Sequence, residues 1–135
     1  MNFNLTLNEF QAKVMVQALD VFSRIGIGQL EEIESLLRRH GHNDFNYDAV
    51  KDALNLLKQE IMGQPPNGSF GIHHPEVHDV FKVSWDLQQV VRYCLAWSQH
   101  PEGGFGVNFY EPSLSGSQPL ATIELVAQKL PNETN

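Results

Sequence analysis

The stretch from Pro75 to Gln99 most limits what this chain can become. Val77, Val80, Phe81, Leu87, Val90, Val91, Cys94 and Leu95 spread apolar side chains over a broad arc of a helical wheel. Asp79, Lys82, Asp86, Gln89 and Tyr93 leave one narrow polar strip. A helix apolar round so much of its circumference must be covered on several sides, so the rest of the chain is built around it. Pro75 suits the first helical position, where a missing N–H is no loss. The pattern predicts a central helix from about Pro75 to Gln99.

Three shorter helices precede it. Thr6 and Glu9 have capping-box spacing, and Leu5 and Phe10 are placed to form a hydrophobic staple. Phe10, Val14, Ala18, Val21 and Ile25 then continue an apolar stripe that Met15, Leu19 and Phe22 widen, so this first helix is expected to be largely buried. Gly26 and Gly28 break or kink it, because each glycine costs about 1 kcal/mol relative to alanine inside a helix. A second helix runs from about Gln29 to His40, burying Leu30, Ile33, Leu36 and Leu37, with Gly41 placed to stop it. A third, from about Asn46 to Met62, carries Tyr47, Val50, Leu54, Leu57 and Ile61 inward and turns Asp48, Asp52 and Lys58 to water.

The two ends of the chain read with period two. Phe3 and Leu5 alternate with Asn2, Asn4 and Thr6; Phe105, Val107 and Phe109 alternate with Gly106, Asn108 and Tyr110; and "LATIELV", 120–126, reads as a further strand. These patterns predict an α+β fold, with about four helices on one face of a three-stranded antiparallel sheet made of the N-terminal strand and a C-terminal hairpin. Residues 1–130 form one domain and 131–135, "PNETN", a frayed tail.

Composition narrows the function classes. The 135 residues are 41% hydrophobic and 19% charged, an ordinary globular balance. With a net charge of −7 and scattered Lys and Arg, the chain lacks the concentrated basic surface that neutralises phosphates, so no nucleic-acid partner is expected. Arg38 and Arg39 sit in the last turn of the second helix, where cations complement the helix dipole. No apolar run reaches the roughly 18 residues of a membrane span, and "MNFNLTLNEF" lacks the basic and apolar regions of a secretory signal. The single Cys94 offers neither a disulfide nor a thiolate metal set. A cytoplasmic setting is expected.

"NGSFGIHHPEVH", 67–78, holds three of the six histidines. His74 and His78 have the four-residue spacing of a zinc-binding helix, and a metal-dependent hydrolase using His73, His74 and His78 is one reading. Against it, a residue before proline is pushed out of the helical region, so His74 acts as a cap and need not stack over His78. The glutamate beside the first histidine of a zincin is absent. The residues therefore read as a loop turning into a helix, and neither a metal nor any other cofactor is expected. Cys94, mid-helix among apolar neighbours, is expected to be inert, and Asp20 and Arg24 read as an i,i+4 ion pair.

A bound ligand has candidate contacts all the same. Gly26 and Gly28 expose backbone N–H groups beside Arg24, an arrangement that can hold an anion, although a lone Gly-x-Gly following a helix reads first as a close interhelical approach. For a nucleotide-like molecule, Arg24, Arg92 and the 67–74 loop, with Asn67, Ser69 and His73, are the candidate phosphate or ribose contacts. Tyr93 or Trp97 is the candidate stacking surface.

"SRIGIGQLEEI" (23–33), "NGSFGI" (67–72), "WDLQQVVRY" (85–93) and "GFGVNFYEP" (104–112) resemble, in the same order, a group of small proteins encoded by tailed phages and prophages. The resemblance implies the cytoplasm of an infected bacterium and an accessory role. It brings no catalytic residues with it. The expectation is a non-enzymatic, homo-oligomeric binding protein that interferes with host defence or metabolism, by gripping a host protein or by sequestering a nucleotide-derived small molecule. A minor virion or assembly component is a third reading.

Overall fold

The computed structural model describes residues 1–127. It contains four α-helices, α1 (Glu9–Gly26), α2 (Glu31–Arg39), α3 (Tyr47–Met62) and α4 (Asp79–Gln99), followed by a single 3-10 turn, Val107–Phe109. No strand occurs among the described residues. The expected α+β fold is therefore replaced by a helical one.

The starts of the helices follow from their caps. Asn8 Oδ1 accepts from the N–H of Gln11 at 2.8 Å, and Gln11 Oε1 accepts from the N–H of Asn8 at 3.0 Å. This is a capping box two residues beyond the Thr6–Glu9 pair the spacing suggested, so α1 begins at Glu9. The end of α1 explains its two glycines separately. Gly28 takes φ +94°, and the N–H of Gln29 returns to Arg24 O at 2.9 Å, closing a Schellman turn that a β-carbon would strain. Gly26 lies against the Phe81 ring, where an added Cβ would fall 2.0 Å from Cγ. Gly41 ends α2 in the same way, at φ +105° with the N–H of His42 bonded to Leu37 O.

α1 runs antiparallel to α4. Gln99 Nε2 donates to Glu9 Oε1 at 2.7 Å at one end, Ser84 Oγ donates to Leu19 O at 2.9 Å in the middle, and Gly26 meets Phe81 at the other end. Small side chains line the seam: Ala12, Ser23, Ser84 and Ala96 are all buried. Close backbone approach is what these residues allow, and it turns the larger side chains of α1 away. Phe10 is 76% exposed, Val14 51% and Phe22 44%, and Ala18 is exposed between them. Phe22 keeps one side on the Phe81 ring of α4, 5.0 Å between centroids, while Phe10, Val14 and Ala18 face outward among the described residues.

α4 begins later than Pro75. His74 closes a turn with the N–H of Val77 on its carbonyl, and Pro75 sits inside that turn. His78 then caps the helix, its Nδ1 accepting from the N–H of Val80 at 3.1 Å.

The expected sheet fails for a physical reason: its strands have nothing to pair with. Gly106 takes φ +102°, and residues 107–109 coil into the 3-10 turn, with the N–H of Phe109 on Gly106 O. Phe3 and Leu5 stand in water. Residues 120–126 form no ladder among the described residues, and the loop before them, 113–117, spends its polar atoms on α4 side chains. Gln89 Nε2 donates to Ser113 O at 3.0 Å, and Gln89 Oε1 accepts from the N–H of Ser113 at 3.1 Å. Asp86 accepts from the N–H groups of Ser115 and Gly116, and Asp79 from that of Ser117 at 2.8 Å. The polar strip of α4 is thus a rail for the chain's own C-terminal segment, and Asp86 and Gln89 are buried beneath it. The predicted tail, 131–135, lies outside the described residues.

No helix of the described residues is long and apolar enough to cross a membrane.

Candidate functional site

The candidate residues fall in three places. The first lies between α1 and α4. Arg24 Nε pairs with Asp20 Oδ2 at 2.9 Å, as the i,i+4 spacing indicates, and Arg24 Nη1 donates to Gln29 Oε1 at 2.8 Å. Arg24 and Arg92 both approach Trp85, each guanidinium carbon lying 5.9 Å from the ring centroid. Arg92 makes no hydrogen bond or ion pair among the described residues. Burial first, and then the nearby Arg24 charge, push its pKa below the ordinary value, while Asp20 works in the opposite sense. Two guanidinium groups flanking one indole, with one carboxylate between them, leave a surplus positive charge at a half-buried position. Trp85 is one of the aromatics, with Tyr93 and Trp97, that the sequence sets around Arg92 as a surface for a planar ligand.

Tyr93 and Trp97 sit elsewhere. They meet edge to face at 6.2 Å, and Trp97 in turn meets Phe109 at 5.6 Å. With Val90, Cys94, Leu120 and Ile123 they line an open apolar groove of about 530 Å³ between the last turns of α4 and the C-terminal segment.

The third place is the 63–74 loop. The N–H of Phe70 donates to Ile27 O at 2.8 Å, which docks the loop on the end of α1. Lys58 holds it from the other side: only 2% exposed, its Nζ donates to Pro66 O at 3.0 Å, Gly68 O at 3.1 Å and Glu31 Oε2 at 3.3 Å. Sequence periodicity had turned Lys58 to water. Its position one turn beyond Leu54 was the sign that it faces inward. Beside this anchor, Asn67 borders a cleft of about 250 Å³ with Glu31, Glu34 and Tyr47. Arg38 Nε lies 3.0 Å from the buried Glu34 Oε1 without its N–H aimed at that oxygen, so the charge is compensated and the acceptor left unbonded.

Ser69 and His73 are exposed on this loop, and Phe70 stacks against His74 at 4.6 Å. His74 Nδ1 accepts from the N–H of Glu76 at 3.1 Å, just as His78 Nδ1 caps α4. Both imidazoles therefore spend one ring nitrogen on the backbone. Among the described residues no three His, Cys, Asp or Glu side chains converge on a point where a metal ion could sit. The N–H groups around Gly28 are likewise consumed within the turn that ends α1.

The structure thus joins Arg24 to Arg92 and Tyr93 to Trp97, but separates both pairs from the loop of Asn67, Ser69 and His73. Comparison with known proteins finds no family model, curated protein or solved structure that matches the chain.

Proposed function

We propose that this chain is a non-enzymatic binding protein of the phage accessory type, a homo-oligomer that interferes with a host defence or metabolic protein by direct contact in the bacterial cytoplasm. The observation that supports it is the imbalance between core and surface. Among the described residues six apolar ones are buried, Leu30, Val77, Val90 and Val91 among them, whereas twenty-one large apolar ones are exposed. The chain's accessible surface is 10099 Å² for a mass of 15.3 kDa. A folded monomer of that mass exposes about 7,100 Å². Even a wholly extended stretch the length of 128–135 adds only about 1,300 Å², which leaves an excess of roughly 1,700 Å² per copy. Obligate oligomers bury about 1,000–2,500 Å² per partner, so the excess is of the size association removes.

Exposed faces on this scale suit contact with protein better than capture of a small molecule, whose sites are concave and mostly enclosed. The test is native mass spectrometry of untagged protein with parallel metal analysis. The expected species is a multiple of the 15.3 kDa chain without a stoichiometric metal. A monomer, or zinc or manganese bound one per chain and lost on His78→Ala, contradicts the reading.

A further inference from the structure

The excess surface has one part regular enough to name its occupant. Phe10, Val14, Ala18 and Phe22 follow one another every four residues along α1, and all four are exposed. Such an i±4 row is a ridge, and ridges of this kind interdigitate at a crossing angle of about −50°. Ala18, the small member, has a bulky neighbour four residues to either side, Val14 and Phe22, with Phe10 one further turn out on the Val14 side; Phe22 also rests one side on Phe81. A small residue at the crossing point lets two helix backbones approach, and large ones on either side fill the grooves.

We infer that a second copy of this chain packs on the ridge, with the two-fold axis passing beside Ala18. In an isologous contact the same patch serves both subunits. Ala18 then faces Ala18 of the second copy, and Val14 faces Phe22 of the second copy on each side of the axis. The occupant follows from a small residue flanked by two bulky exposed ones, an order in which a two-fold at Ala18 pairs Val14 with Phe22, and from the area. Phe10, Val14 and Phe22, joined by Phe3 at 85% exposure and Leu5 in the arm leading into α1, approach the about 800 Å² per partner of a standard interface. Antiparallel crossing carries each arm towards the far end of the other copy's α1. No charged residue interrupts the ridge; the nearest acids and bases of α1, Glu9, Lys13, Asp20 and Arg24, are already paired within the chain.

This inference rests on the oligomeric reading above and can fail separately from it. In a Cys94→Ser background, Ala18→Cys places a thiol beside the axis, where Cα atoms within about 7 Å can be bridged. Mild oxidation is expected to convert most of that protein to a covalent dimer, and to leave Asp52→Cys, exposed on α3, largely uncrosslinked. Ala18→Arg is expected to lower the mass measured by light scattering to that of a smaller species. Were Ala18→Arg to lose its helical circular dichroism, the cysteine result decides. A wild-type oligomer in which Ala18→Cys crosslinks no better than Asp52→Cys overturns the ridge and leaves the oligomer standing. A wild-type monomer overturns both.

Discussion

The Asp86 carboxylate holds Ser115 by both its backbone and its side chain: the N–H of Ser115 lies 2.9 Å from Oδ1 and its hydroxyl 2.6 Å from the same oxygen, while the N–H of Gly116 reaches Oδ2 at 2.8 Å. Hydrogen bonds to an ionised acceptor are the stronger kind. Replacing Asp86 by alanine leaves buried donors facing an apolar side chain. The expected cost is about 2–3 kcal/mol, with faster proteolysis between residues 112 and 118. Asp86→Asn retains an acceptor and should lose less. Equal cleavage of wild type and Asp86→Ala would show that the segment is not held.

Asp79 adds a pH-dependent clasp to the same segment. The Ser117 hydroxyl, and next its N–H, hold the Asp79 carboxyl below its ordinary value of 3.8. A lowered carboxyl stabilises the folded arrangement fully above the ordinary value and loses that stabilisation as pH falls through the lowered one. The Ser117 amide resonance is accordingly expected to titrate with a midpoint below 3.8. A midpoint above that value contradicts the clasp.

Lys58 is expected to be the costliest charged residue to remove. Lys58→Ala strips Pro66 O and Gly68 O of their donor and empties the space the stem fills, a loss of about 2–4 kcal/mol. Urea unfolding measures it. A change under 0.5 kcal/mol would mean that the loop is anchored by Phe70 and Ile27 alone.

Gly26→Ala forces a methyl group into the Phe81 ring, and overpacking of this kind costs about 1–3 kcal/mol. Because the clash has a single partner, Phe81→Ala in the same chain should relieve it. A double mutant less stable than the two single losses added together contradicts the contact.

Arg24 and Arg92 should part company. Arg24 holds Asp20 and Gln29, and its loss costs at most about 1 kcal/mol, because the pair is about one-third open to water. Arg92 carries an unpaired, half-buried charge beside another arginine. Arg92→Met is therefore expected to leave the melting temperature unchanged or to raise it. A clear fall would show that its contact with Trp85 outweighs the burial and repulsion it suffers.

The helices were legible because their signals are local. The four runs of apolar residues mark the four helices found, with Leu30 and Val77 just ahead of α2 and α4, and two starts moved where a neighbouring cap competed: Asn8 over Thr6, and His78 over the Pro75 turn. The strands misled because alternation reports an extended chain with one apolar side and does not supply a hydrogen-bonding partner. Residues 120–126 have no such partner among the described residues, and no periodicity announces that the loop before them, 113–117, docks on α4 side chains. Burial was harder still. The apolar stripe of α1 was read as largely buried, yet Phe10, Val14 and Phe22 are exposed, because the seam with α4 is made of Ala12, Ser23, Gly26 and Ser84, whose small size is inconspicuous in sequence. The same blindness hid Lys58. The sequence offers Arg24, Arg92 and the 67–74 loop as contacts of one ligand, whereas the structure sets the two arginines on Trp85 and the loop apart from them.

Whether association completes this fold shows in urea unfolding at about 1 µM and about 100 µM chain. Binding between folded copies adds stability that grows with concentration. The account predicts a transition midpoint that moves to higher urea at the higher concentration. Superimposable curves, with a cooperative transition at both concentrations, would contradict it.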